Sequence, residues 1–138
     1  MPSTILIIDD ESSIRESLAG ILQDEGFHPL SAASAEEGFA MLARQDVHLI
    51  LLDIWMPSMD GIEALKQIKQ ENSEVPVIMI SGHGNIETAV QTTRMGAFDF
   101  IEKPLSYDKV VLAINQGLRI ARLERENKLL RESAPDQY

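Results

Sequence analysis

The sequence predicts an α/β fold: a doubly wound, five-stranded parallel sheet flanked by five helices, with the last helix extended. Uninterrupted apolar runs such as 49–52 are typical of strands buried on both faces of a parallel sheet. These runs alternate along the chain with segments of helical periodicity. This alternation implies parallel pairing through right-handed crossovers, with helices on both faces.

Five short segments predict the strands, and most of them run into polar residues. The first is followed by Asp9, the third ends at Asp53, and the fourth is followed by Ser81. The fifth is followed by Glu102, Lys103 and a proline. In chain order, the predicted strands are residues 5–8, 28–33, 49–53, 75–80 and 97–101.

The predicted helices begin or end at recognisable signals. The first stops at Gly26, a typical helix C-cap. Ser34 and Glu37 form a capping box at the start of the second, and Asp60 and Asn85 are N-cap residues for the third and fourth. The predicted helices are about 12–25, 34–44, 60–71, 85–95 and 106–132. The last is far longer than covering the sheet requires.

Composition excludes several classes of function. The 138 residues contain no cysteine, so disulfides, thiolate metal sites and cysteine nucleophiles are excluded. We expect no membrane span and no secretory signal, and therefore a cytoplasmic location. Residues 1–104 hold 6 Lys/Arg against 17 Asp/Glu, a net charge of −11. We expect so acidic a domain to repel nucleic acid.

The carboxyl ends of parallel strands converge on one edge of the sheet, where ligands bind in open α/β folds. That edge should collect Asp9, Asp10, Asp53, Ser81 and Lys103. Neighbouring carboxylates repel one another unless a cation lies between them, and an all-oxygen ligand set suits Mg²⁺ or Mn²⁺. With Lys103 as a positive charge, the site could stabilise a phosphoryl group on Asp53, the predicted nucleophile.

Several motifs occur in order at these strand ends: Asp9-Asp10, Asp53 with Met56-Pro57 and Asp60-Gly61, Ser81, and Lys103-Pro104. Together they resemble the receiver domain of two-component response regulators, over residues 4 to about 120. The resemblance implies a CheY-like fold with 1–120 as the receiver domain. Residues 121–132 are then a coiled-coil-like linker helix. The polar segment 133–138 is predicted to be a disordered tail.

The resemblance also implies roles for individual residues. Asp53 would accept the phosphoryl group from a sensor histidine kinase, and Lys103 would contact the phosphoryl oxygens. The peptide bond between Lys103 and Pro104 would be cis. Ser81 and Phe100 would form a conformational switch pair. Mg²⁺ would be held by Asp10, Asp53 and the backbone carbonyl of Trp55, and by Asp9 through water.

Residues 81–85, 96–100 and 102–105 look like the NtrC class of response regulators, and most like NtrX-type members. In that class a receiver precedes an AAA+ ATPase and a helix-turn-helix domain, and it controls sigma-54-dependent transcription. The 138 residues hold neither a Walker motif nor a basic recognition helix. We therefore interpret the chain as the receiver and its linker.

Other interpretations stay open. A phosphohydrolase of the haloacid dehalogenase kind shares the Asp nucleophile, Mg²⁺ and Lys. It needs a second Asp two residues after the nucleophile, where this chain has Trp55. The chain could also be a stand-alone receiver, or a degenerate receiver that acts only as a docking module. Among single residues, His83 is either a loop histidine or a catalyst, and Phe100 is either a switch or plain core.

The end of the last predicted helix suggests a parallel homodimer. Ile120, Leu123, Asn127 and Leu130 follow one another at spacings of three, four and three, which makes an a/d seam. A buried Asn at an a position favours two-stranded, in-register pairing. Oppositely charged residues flank the seam. The alternative is a solvated single helix that leads to a further domain.

Overall fold

The computed structural model describes residues 2–57, 59–82 and 86–133 of the chain. Strands and helices alternate as predicted: β1 (Thr4–Ile8), α1 (Ser12–Asp24), β2 (His28–Ala32), α2 (Ala35–Arg44), β3 (Leu49–Asp53), α3 (Gly61–Glu71), β4 (Val77–Ser81), α4 (Ile86–Arg94), β5 (Asp99–Glu102) and α5 (Tyr107–Ser133). The α/β class and the extended last helix are thus confirmed. Within these residues, no helix combines the length and apolar character that crossing a membrane would take.

All five strands pair in parallel in one sheet, in the order β2-β1-β3-β4-β5. The strand order reverses between β1 and β3, since the chain builds outward in one direction from β1 and in the other from β3. In doubly wound sheets, ligands bind in the crevice beyond the carboxyl ends of the strands at this reversal. The crevice lies where Asp9 follows β1 and where Asp53 ends β3.

Two apolar layers cover the sheet because alternate strand residues point to opposite faces. Ile5, Ile7, Leu49 and Leu51 pack on one face with residues of α1 and α5. The even-numbered neighbours Leu6, Ile8, Ile50 and Leu52 pack on the other face with residues of α2 and α3. This two-sided burial holds the strand ends, and so the side chains that follow them, in fixed positions.

Local capping agrees with the sequence signals. The Ser34 hydroxyl accepts the Glu37 N–H at 3.2 Å, and the Asp60 carboxylate accepts the Glu63 N–H at 2.9 Å. Gly26 ends α1 in a left-handed conformation (φ 81°), which favours glycine over residues with a Cβ. The predicted cap Asn85 lies outside the described residues.

Two strands begin later than predicted. β4 begins at Val77 instead of residue 75, because the Val75 N–H bonds back to the Asn72 carbonyl and Pro76 has no N–H. β5 begins at Asp99 instead of residue 97, because the Ala97 N–H bonds to the Thr92 carbonyl and closes the end of α4. At the other end of the chain, Ser133 belongs to α5, and the rest of the predicted tail lies outside the described residues.

Candidate phosphoryl and metal site

The structure brings together the three carboxylates expected at the strand ends. Oxygens of Asp9, Asp10 and Asp53 lie within 4.8 Å of one another. The Asp9 and Asp53 side chains are only 1% and 3% exposed, whereas Asp10 faces solvent. Two buried carboxylates beside a third make a strongly negative pocket that opens on one side to water.

The two oxygens of the Asp9 carboxylate have different partners. Its Oδ1 accepts the Glu11 N–H at 2.9 Å. Its Oδ2 is buried and has no hydrogen bond among the described residues, although the Lys103 Nζ forms an ion pair with it at 3.3 Å. Burial raises the pKa of Asp9. A buried oxygen of this kind can act as a ligand for a cation.

Lys103 links the carboxylates from the end of β5. Its Nζ lies 3.3 Å from Asp9, 3.5 Å from Glu11 and 3.7 Å from Asp53, and its side chain is 14% exposed. The Lys103 N–H donates to the Ser81 carbonyl at 2.8 Å, and the following peptide, to Pro104, is cis. Burial opposes the ammonium charge, but the Asp53 and Asp9 carboxylates outweigh burial and raise the pKa of Lys103. The lysine therefore stays charged.

Asp53 has the most perturbed electrostatics of the site. Burial, together with the negative charge of Asp9, raises its pKa to about 7, against opposing effects of Lys103 and of a hydrogen bond from the Trp55 backbone N–H. The single positive charge of Lys103 does not neutralise the three clustered carboxylates. The all-oxygen donor set and the Asp9 oxygen without a hydrogen bond therefore fit a hard divalent cation.

The other predicted residues lie on β4, on β5 and in the loop after β3. Ser81 is fully buried at the end of β4, and Phe100 is half-buried on β5, where it packs on the layer that includes α2 and α3. Trp55, two residues beyond Asp53, has a side chain that is 51% exposed. His83 lies outside the described residues.

The loop after Asp53 depends on a close backbone approach at Gly61. The Gly61 N–H donates to the Ile54 carbonyl at 2.6 Å, and a Cβ on Gly61 would overlap the Asp53 carbonyl oxygen and the Ile54 Cα. The sequence pattern marked Asp60 and Gly61 as a helix start and as part of the receiver motif, without indicating this contact. Glu11, which no sequence pattern singled out, also pairs with Lys103 while staying largely exposed.

We expect Gly61→Ala to lower the free energy of unfolding by about 2 to 3 kcal/mol, because backbone atoms that meet the new methyl group cannot move aside cheaply. Gly20→Ala is the matched control. Gly20 lies on the exposed side of α1, where a Cβ would meet no atom within 4 Å, so this change should stabilise the helix by about 0.5 to 1 kcal/mol. Urea unfolding measures both. Equal stability of the two variants would contradict the close approach.

The predicted dimer seam lies on the C-terminal part of α5. Ile120, Leu123 and Leu130 are 42%, 47% and 68% exposed, and Asn127 is exposed as well. Ile120 also lines a cavity of about 390 Å³ against its own domain. The Lys128 Nζ lies 3.1 Å from Glu74 in the segment between α3 and β4, so the helix extension contacts the domain as it leaves.

The chain is similar to known proteins over most of its length. Residues 5–115 match the family described as response regulator receiver domain. The nitrogen assimilation regulatory protein NtrX of Azorhizobium caulinodans is 48% identical over 134 residues, which cover 96% of this chain and 30% of that protein. The first curated relatives are thus matched over only 28% to 30% of their length.

Solved structures agree with this match. NtrX from Brucella abortus, in complex with ADP, superposes with a TM-score of 0.91 at 45% identity, over 95% of this chain and 30% of that one. The solution structure of the beryllofluoride-activated NtrC4 receiver domain dimer superposes with a TM-score of 0.82 at 37% identity, over 86% of this chain and 98% of that one.

Proposed function

The chain belongs to the response regulator receiver domain family, and on that premise we propose that it is a phosphorylation switch in which Asp53 accepts a phosphoryl group from a sensor histidine kinase. An Asp53 oxygen forms a bond to phosphorus while the bond from phosphorus to the kinase histidine nitrogen breaks. The observation that supports this most is the position of Asp53: buried at the sheet's topological switch point, with the Lys103 ammonium 3.7 Å away.

We further propose that the cation is Mg²⁺, or Mn²⁺ in its place. Asp10, Asp53 and the Trp55 backbone carbonyl would hold it, with Asp9 acting through water. When bound, the cation neutralises charge on the transferring phosphoryl oxygens. The chain's own residues do the rest: Asp53 attacks, Lys103 attracts the phosphoryl oxygens, and Ser81 offers a hydroxyl at the same edge of the sheet.

The response to phosphorylation is proposed to pass through Ser81 and Phe100. Ser81 ends β4 beside the pocket. On the neighbouring strand β5, Phe100 pairs in register with Met79 of β4. A shift of Ser81 toward the phosphoryl group would give Phe100 room to turn inward. Such a switch is a two-state equilibrium, which the phosphoryl group shifts only through contacts that differ between the two states.

The wider role is proposed from the similarity to NtrX-type regulators. The chain would act in the cytoplasm as the receiver of an NtrC-class regulator. It would control sigma-54-dependent transcription through AAA+ and helix-turn-helix domains. The segment itself would bind neither nucleic acid nor membrane.

We expect Mg²⁺ with beryllofluoride, a stand-in for the phosphoryl group, to change the fluorescence of Trp55. It is the only tryptophan of the chain, and its backbone N–H already bonds to Asp53, so a ligand on Asp53 alters its surroundings. Titration of the unchanged chain should saturate. The Asp53→Ala chain is the control and should show no beryllofluoride response. An unchanged spectrum at saturation in the original chain would argue against a ligand site beside Asp53.

Homodimerisation through α5 is part of the proposal, supported by the exposed seam and by the NtrC4 receiver having been solved as a dimer. We expect micromolar or weaker association of residues 1–138 in sedimentation, and none for 1–118, because a seam of about two heptads is marginal alone. The truncation keeps Val110, Ala113 and Ile114, which pack in the core. If both chains are monomers with and without beryllofluoride, α5 is only a tether.

A further inference from the structure

A second pocket lies at the opposite edge of the sheet from Asp53. A cavity of about 410 Å³ opens between α5 and the residues that immediately precede two strands, Ser3 before β1 and His48 before β3. Three arginines of α5 line it: Arg119, Arg122 and Arg125. The volume falls in the range typical of small-molecule sites.

The charge of the cavity lining is opposite in sign to the net charge of the domain. Residues 1–104 carry a net charge of −11, yet none of the described Asp and Glu side chains lines the cavity. Among the residues that the structure describes, no ion pair joins Arg119, Arg122 or Arg125 to a carboxylate. Three exposed arginines therefore line one cavity that none of the described carboxylates lines.

Leu118 and Ala121 supply the apolar part of the lining, and the other polar lining residues can also donate hydrogen bonds. The His48 Nδ1 accepts the Thr4 N–H at 2.9 Å, so in the neutral ring the proton sits on Nε2, which makes that nitrogen a donor. Asn115 and Ser3 add an amide and a hydroxyl. The positive charges and hydrogen-bond donors of this lining favour an anion over a cation.

We propose that this cavity binds a compact ligand with two or more phosphate groups. Guanidinium groups bind phosphate oxygens in a bidentate manner. Arg119 and Arg125 are six residues apart, which is about 9 Å along the helix axis and suits linked phosphates. A long polyanion such as duplex DNA is disfavoured, because it would extend over the acidic surface of the domain. The bound ligand would join α5 to the starts of β1 and β3, where the helix leaves the domain.

Calorimetric titration of the 1–138 chain with tripolyphosphate, in metal-free buffer at low salt, tests the proposal. We expect one saturable site, and at least tenfold weaker binding after Arg122→Gln with Arg125→Gln. The matched control removes the same charge elsewhere, through Arg94→Gln on α4 with Lys66→Gln on α3, both of which are exposed. This control should bind as the original chain does. Asp53→Asn should also leave binding intact, which separates this site from the phosphoryl site.

Further ligands identify the source of the phosphate groups. ATP binding more tightly than tripolyphosphate indicates a nucleotide, and equal binding indicates recognition of the phosphate chain alone; either result supports the site. The proposal is overturned if no saturable binding occurs, or if the control loses as much affinity as the arginine variant. It is equally overturned if a pentaglutamate peptide or duplex DNA binds as tightly as tripolyphosphate.

Discussion

The Asp53→Asn chain should take up no phosphoryl group from acetyl phosphate and Mg²⁺, whereas the original chain should gain one, as seen by intact-mass spectrometry. The side-chain amide of Asn is a poor nucleophile, so the rate should fall below about 1% of the original. The neighbouring Asp9 cannot readily substitute, because its carboxylate is held by the Glu11 N–H and by Lys103.

Asp46→Asn is the matched control for this experiment, since Asp46 is exposed and precedes the start of β3, whereas Asp53 ends that strand. It should be phosphorylated at the original rate. Equal uptake by the Asp53→Asn chain would assign the nucleophile to another carboxylate. Peptide mapping would then distinguish Asp9 from Asp10.

The Asp53→Asn chain should be more stable than the original chain in metal-free buffer at alkaline pH. The pKa of Asp53 is about 7 in the folded chain against an ordinary 3.8. Its contribution to the free energy of unfolding is therefore fully present below pH 4 and is lost as the pH rises through 7. At pH 8 Asp53→Asn should gain about 2 kcal/mol, and the gain should vanish near pH 4. Urea unfolding at both pH values measures this. A less stable variant at pH 8 would show that the charge is compensated.

Lys103→Met should slow phosphorylation by acetyl phosphate about 100-fold without weakening Mg²⁺ binding. The Lys103 ammonium stands 3.7 Å from Asp53, where the proposed transfer would gather negative charge on the phosphoryl oxygens. Its removal takes a positive charge away from three carboxylates, so the affinity for Mg²⁺ should stay the same or increase. Phosphorylation is followed by mass spectrometry, and Mg²⁺ affinity by Trp55 fluorescence.

Lys66→Met, an exposed change on α3, is the control and should leave both quantities unaltered. Circular dichroism verifies that each chain is folded. If Lys103→Met weakens Mg²⁺ binding and slows phosphorylation to the same degree, the lysine organises the metal site. Its proposed action on the phosphoryl oxygens would then be wrong.

Local patterns carried enough information to predict most elements. Four apolar residues before Asp53 identified the central strand, and the side chain of Ser34 identified the start of α2. The starts of β4 and β5 were misplaced by two residues, because apolar character does not reveal which backbone groups already bond elsewhere. The Val75 and Ala97 N–H groups bond within turns, and only the folded backbone shows it.

By itself the sequence determined the fold class and the strand-end residues of the candidate site. Periodicity and the position of a residue after an apolar run are local properties, and parallel strands bring their carboxyl ends to one edge in any such sheet. The tertiary structure alone decided the three ion pairs of Lys103 and the burial of an Asp9 oxygen that has an ion pair but no hydrogen bond. It also decided the raised pKa of Asp53 and the crowding at Gly61. It alone also placed His48 beside the arginines of α5. Burial and Coulomb interactions depend on distances between segments far apart in the chain, and no local pattern encodes those distances.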